Sequence, residues 1–152
     1  MKTLTIITGA SKGLGFELAR QSLKAGDTVV TMERRPSKAL VEEADKIGCN
    51  FIQFTADLLD RKGAVELLMW LLSDKEYAEH DRLILINNAG VLDGQLPIHE
   101  TTPEVYDMIY ETNQRAVFLC CQRAIRIFLE QGTPANIVNV ASAASLRGPK
   151  GG

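Results

Sequence analysis

Short apolar runs, each followed by a stretch with helical spacing, organise this chain from one end to the other. Residues 4–7 (Leu-Thr-Ile-Ile) are the first run, and their apolar, β-branched content predicts a strand buried on both faces. Further strands are predicted at 28–32, 51–55, 83–86 and 136–140. After the first strand, Leu14/Leu18 and Ala19/Leu23 repeat at i,i+4 spacing in a helix over 16–25, and Gly26-Asp27 ends it. Pro36 and Ser37 open a second helix through Ile47, with Leu40, Val41, Ala44 and Ile47 on one face and Gly48 as its stop. Asp60 can cap a strongly apolar helix over 64–72, and the polar residues 73–81 return the chain to the sheet. Thr102 stands as an N-cap before Pro103 at the first helical position, and a long helix is predicted from there to Gln131, where Gly132-Thr133-Pro134 breaks it. Strand and helix alternate, so the expected architecture is α/β: a three-layer, doubly wound parallel sheet of five strands in the order 3-2-1-4-5. A ligand would sit at the carboxyl ends of its strands.

Composition narrows the function classes without choosing one. The chain has 152 residues, about one domain, and no linker, repeat or low-complexity segment divides it. With 45% hydrophobic and 24% charged residues and a net charge of −2, it reads as an ordinary globular protein whose partners include neither nucleic acid nor a membrane surface. No basic, apolar leader precedes Leu4, and no apolar run approaches the roughly 20 residues that cross a bilayer, so a cytoplasmic location is expected. Cys49, Cys120 and Cys121 are odd in number and lack Cys-x-x-Cys spacing. They are expected to be small buried hydrophobes, with neither a disulfide framework nor a metal site.

The candidate chemistry gathers at the predicted strand ends. Thr8-Gly9-Ala10-Ser11-Lys12-Gly13-Leu14-Gly15 joins the first strand to the first helix. Its glycines let the chain turn sharply and let a phosphate approach the main chain, while the helix start offers unpaired N–H groups and a positive dipole end. The plainer reading of the same residues is a tight strand-to-helix connection. Glu33 follows the second strand at about the 20-residue spacing where dinucleotide-binding folds place a ribose-binding acid, with Arg34 beside it. Asp57 follows the third strand, where turn-forming or capping aspartates also occur. Asn87-Asn88-Ala89-Gly90 follows the fourth strand: its amides can tie neighbouring strand ends together, and Ala89 and Gly90 leave room for a ribose. Asn113 interrupts the apolar stripe Val105, Ile109, Val117, Cys120, Ala124, Phe128, which predicts a buried amide with dedicated partners. Ser142 ends the fifth strand with no base beside it in sequence, so a hydrolase-type nucleophile is unsupported. His80 and His99 lie in polar loops and read as surface residues.

Taken in order, Thr-Gly-x-x-x-Gly-x-Gly at 8–15, Asn-Asn-Ala-Gly at 87–90, Asn113 and Ser142 resemble the short-chain dehydrogenase/reductase family, with its Rossmann-type fold. The resemblance implies that Thr8, Gly9, Ser11, Lys12, Gly13, Leu14 and Gly15 hold the pyrophosphate of NAD or NADP. Glu33 would bind ribose hydroxyls and favours NAD, whereas Lys12 and Arg34 match basic positions of NADP-preferring members; the choice stays open. Asp57 would accept from the adenine amino group, with Leu58 offering a backbone contact, and Asn87, Ala89 and Gly90 would border the cofactor. Asn113 would mark a helix break whose freed carbonyl holds a water in a proton relay. Ser142 would hydrogen-bond the substrate carbonyl or hydroxyl; Ala141 replaces the first of two usual serines, and Ser145 is a poorer substitute. The implied activity is hydride transfer between a nicotinamide cofactor and a carbonyl or alcohol substrate, in a full-length homodimer or homotetramer. The family's Tyr-x-x-x-Lys should follow the serine, but Tyr77, Tyr106 and Tyr110 lie upstream of it and none has lysine at the fourth position. The expectation is therefore a cofactor-binding N-terminal portion, lacking the family's sixth and seventh strands and inactive alone. The alternative is a non-catalytic nucleotide-binding module that ends at Gly152, and a weaker one is an interaction protein pairing through the edge of its fifth strand.

Overall fold

In the structure, a computed structural model that describes residues 1–60, 79–92 and 96–143, five strands form one parallel sheet. They are β1 (Thr3–Thr8), β2 (Thr28–Glu33), β3 (Phe51–Thr55), β4 (Arg82–Asn87) and β5 (Ala135–Asn139), in the predicted order β3-β2-β1-β4-β5. The described helices are α1 (Gly13–Lys24), α2 (Lys38–Ile47), α3 (Pro103–Tyr110) and α4 (Ala116–Gln131), with a short 3₁₀ turn at Ile98–Glu100. The helix predicted over 64–72 lies outside the described residues.

Alternation along the strands decides which helices cover which face. Leu4, Ile6, Val30, Met32, Leu83 and Leu85 point to one side and pack with Cys120, Ala124, Ile127 and Phe128 of α4. Ile7, Val29 and Ile86 point to the other and pack with Ala19 and Leu23 of α1 and Leu40 and Ala44 of α2. All six residues of β1 are buried, its three threonines included, as befits a central strand covered on both faces. Gly48 ends α2 in the left-handed conformation (φ +74°), donating to the Ala44 carbonyl at 2.8 Å.

One helix departs from the unbroken span that its periodicity predicts, at the place where the resemblance implied a break. The long helix is divided by a π-helical turn, Glu111–Arg115, between α3 and α4. The turn carries the helix surface round, so the row facing the core is Thr112, Ala116, Cys120 and Ala124. Asn113 stands beside that row and is exposed, not a buried amide as the stripe drawn through Ile109 and Val117 implied. The cysteines also differ in part from expectation: Cys120 is buried, but Cys49 and Cys121 are half-buried and both sulfurs make polar contacts. Burial, with a smaller contribution from neighbouring Cys121, pushes the Cys120 thiol up to about 11. Among the described residues there is no cluster able to hold a metal and no helix long and apolar enough to cross a membrane.

Candidate functional site

The glycine turn is fastened to the end of β4. The Thr8 hydroxyl accepts the backbone N–H groups of Asn88 (3.1 Å) and Ala89 (3.0 Å), and the Asn88 side-chain amide donates to the carbonyls of Thr8 and Gly9, both at 3.0 Å. This close seam explains two glycines. A Cβ on Gly9, which has φ +72°, would lie 2.8 Å from the Ala89 Cα, and one on Gly15 would collide with the Asn88 amide nitrogen and the Gly9 carbonyl. The Gly9 N–H donates to the Met32 carbonyl at 2.8 Å, so the turn is also tied to β2.

From this seam α1 begins without a side-chain cap and without an acidic residue in its first turn. Its first N–H groups and positive dipole end therefore suit an anion. A cleft of about 770 Å³ opens here, across the carboxyl ends of the strands. Eleven of the predicted site residues line it: Gly9, Ser11, Lys12, Leu14 and Gly15 from the turn and α1, Glu33 and Arg34 after β2, Asp57 and Leu58 after β3, and Ala89 and Gly90 after β4. Residues drawn from four separate chain segments thus meet at one place.

Five predicted residues lie outside the cleft lining. Thr8 is buried beneath it as part of the seam, and Gly13 (φ +62°) shapes the turn with no atom within 4 Å of where its Cβ would stand. Asn87 is buried on the α4 side, where its amide donates to Asn139 Oδ1 (2.8 Å) and Cys121 Sγ (3.3 Å), tying β4 to β5 and to the helix. Asn113 holds the chain after β4: its Oδ1 accepts the Val91 N–H at 2.8 Å and its Nδ2 donates to the Val91 carbonyl at 2.7 Å. Ser142 lies three residues past β5 and is exposed, while Ser145 is outside the described residues.

Two side chains behave differently from their sequence roles. Glu33 is only 4% exposed; its Oε1 accepts the Thr31 hydroxyl at 3.0 Å, and its buried Oε2 has no hydrogen-bond partner among the described residues. Burial raises its carboxyl above the usual range, and the Thr31 hydroxyl partly offsets this. Asp57 uses Oδ1 to accept the Leu59 N–H at 3.0 Å, the local turn that its residue type favours.

The cleft also holds residues outside the predicted site: Met32, Arg35, Pro36, Ala56, Val91 and Thr112, together with Asn88, whose amide was expected only to tie strand ends together. Strand parity could have separated the two asparagines. Asn87 shares a face with Leu83 and Leu85, so it turns to the long helix, and Asn88 is left for the glycine turn. Thr112 carried a fainter signal, as the fourth residue before Ala116 in the small-residue row Ala116, Cys120, Ala124.

The profile of the short chain dehydrogenase family matches residues 3–152. The chain belongs to this family. A 2-dehydro-3-deoxy-D-gluconate 5-dehydrogenase of Dickeya dadantii is 32% identical to this family member over 146 residues, covering 95% of this chain and 55% of that protein. L-xylulose reductase of Bos taurus is 33% identical over 146 residues, covering 94% and 54%. Among solved structures, an actinorhodin polyketide ketoreductase variant with NADPH superposes with a TM-score of 0.80 at 28% identity, covering 97% of this chain and 56% of that one. The chain spans about half the length of the curated relatives it matches.

Proposed function

We propose that the cleft holds a nicotinamide dinucleotide and that this chain is the cofactor-binding part of an oxidoreductase acting on a carbonyl or alcohol substrate. One observation carries the reading: the uncapped start of α1, the glycine turn and three basic side chains, Lys12, Arg34 and Arg35, converge on one cleft at the carboxyl ends of the strands. Such a cleft fits a polyanion with two ribose units. The NADPH-bound relative, at 28% identity, supports the same reading.

Between the two cofactors, the side chains favour NADP. The Glu33 carboxyl is buried and its Oε1 is engaged by the Thr31 hydroxyl, so it does not stand as a free carboxylate in the way of a 2′-phosphate. Arg34 and Arg35 are exposed at the cleft and can pair with that phosphate.

A bound nicotinamide supplies or accepts the hydride; the protein's part is to hold, orient and polarise. The first turn of α1 neutralises the pyrophosphate, and the Asn88 seam keeps the turn rigid against β4. Asn113 fixes the chain at Val91, and Ser142, beyond β5, hydrogen-bonds the substrate oxygen.

The test is fluorescence titration of the chain with NADPH and NADH. Wild type is expected to bind both, NADPH more tightly, and Arg34→Ala should narrow the gap. Gly13→Val, strained by the left-handed φ of +62° that the turn requires there, should distort the turn and weaken binding about tenfold or more. A folded wild-type chain that binds neither cofactor overturns the proposal.

A further inference from the structure

Thr112 is an odd residue to find where it is. It is 6% exposed, it lies in the π-helical turn, and its hydroxyl is buried with no hydrogen-bond partner among the described residues. A threonine in a helix commonly relieves this by bonding back to the carbonyl one turn earlier, and Thr112 does not. Buried polar groups in folded proteins are paired as a rule, and an orphan facing a cleft points to a partner that arrives with a ligand. Thr112 lines the same cleft as the glycine turn.

The surroundings narrow the kind of ligand group. Met32, Ala56 and Leu58 also line the cleft, and they belong to the cluster on the α4 side of the sheet, the side to which the Thr112 row belongs. With Val91 they give that side of the cleft an apolar surface. Asp57 is a polar group beside Leu58, and the Thr112 hydroxyl is another, carried by the helix. Apolar walls with polar groups at the margin suit a flat heteroaromatic ring better than a sugar or a phosphate. The basic groups and the helix start occupy the rest of the cleft, where phosphates would go.

Resting on the dinucleotide-binding reading given above, we propose that the Thr112 hydroxyl hydrogen-bonds the adenosine half of the bound cofactor. The π-helical turn is the device that delivers it. A regular helix would continue the i,i+4 row from Val105 and Ile109 to Asn113, whereas the turn brings Thr112 onto the buried side and leaves Asn113 to clamp Val91. The two neighbours thus divide the work, one holding the loop and the other meeting the ligand.

Calorimetric titration of the chain with NADP⁺ and with 5′-AMP tests this on wild type, Thr112→Val and Thr112→Ser. The isosteric valine should weaken both ligands about fivefold, the range of one neutral hydrogen bond, and serine should stay within about twofold of wild type. Without ligand, Thr112→Val should melt at or above the wild-type temperature, because an unpaired buried hydroxyl has been removed. A structural role predicts the reverse, a lower melting temperature with unchanged affinity, and that result overturns the proposal, as does a Thr112→Val chain that fails to fold. Weakened NADP⁺ with unchanged 5′-AMP also overturns it by moving the contact to the other half of the cofactor. If wild type binds neither ligand, the dinucleotide-binding reading itself has failed; if wild type binds and valine binds equally well, only the role of Thr112 has.

Discussion

The sheet has a cleft at each end, and they make a useful pair. The one at the carboxyl ends of the strands measures about 770 Å³; the one at the amino ends, lined by Met1, Lys2, Thr3, Gly26, Asn50, Phe51, Glu79 and His80 among others, measures about 600 Å³. Their sizes are similar, but their chemistry is not. At the amino ends several nearby polar groups already have partners: the Lys2 backbone N–H donates to Asp81 at 2.6 Å, the Thr5 hydroxyl to Asp27 at 2.8 Å, and the Val29 N–H to the Asn50 carbonyl at 3.0 Å. Helix α1 also ends on that side, presenting the negative end of its dipole. At the carboxyl ends the helix starts uncapped, and Thr112 keeps a buried oxygen without a partner among the described residues. Volume alone does not make a site. Unspent hydrogen-bonding capacity and helix polarity do.

The strongest way to break this comparison is to add the same kind of atom at each end. Gly15→Ala should be severe, because its Cβ would meet the Asn88 amide and the Gly9 carbonyl, both held by the seam. The expected loss is about 3 kcal/mol or more, the scale of overpacking against fixed backbone, and cofactor binding should go with it. Gly26→Ala adds a Cβ where nothing lies within 4 Å, so its cost is the left-handed backbone alone (φ +84°), about 1–2 kcal/mol, with affinity unchanged. Chemical denaturation with NADPH titration of each variant reads both effects. Equal losses at the two positions would remove the distinction between the clefts.

A smaller contrast compares one polar group at each end. Asn88→Ala strips the hydrogen bonds from the Thr8 and Gly9 carbonyls and should cost about 1–3 kcal/mol while weakening cofactor binding. Asp81→Asn touches an exposed contact with the first two residues and should cost under about 1 kcal/mol, with no effect on binding. If Asn88→Ala proves as mild as Asp81→Asn, the seam is not what holds the turn.

The fold was legible where one period ruled. Apolar runs such as 4–7 and 51–55 placed the strands within a residue or so, and the alternation of strand and helix implied the observed sheet order. Most of the cleft was legible too, because glycine turns and strand-end polar residues must converge at the carboxyl edge of such a sheet. What escaped is what depends on phase. A stripe drawn at constant helical spacing put Asn113 in the core, but one π-helical turn exchanged it with Thr112; the family resemblance implied a helix break at Asn113, whereas the helical period of Glu-Thr-Asn-Gln-Arg carries no sign of it. Glu33 was expected to offer its carboxylate to ribose hydroxyls from just beyond β2. It lies instead on the α1/α2 side of β2 with Thr31, because β2 runs one residue further than its apolar run.

That burial sets the last and smallest contrast, in which one proton distinguishes the two ends. The folded-state pKa of Glu33 lies above the unfolded value, which is about 4.3, so the native chain holds the proton more tightly than the unfolded one. The stability this contributes is complete below about pH 4.3 and is lost as pH rises through the higher folded value. Glu33→Gln cannot ionise and lacks that loss. The melting temperature of wild type relative to Glu33→Gln should therefore fall between about pH 4.3 and neutrality. The effect is limited because only one proton is involved and the Thr31 hydroxyl already offsets part of the burial. A wild-type minus Glu33→Gln difference that stays level across this range would mean that the Glu33 carboxyl reaches solvent, and that the carboxyl-end cleft holds no buried acid to set it apart.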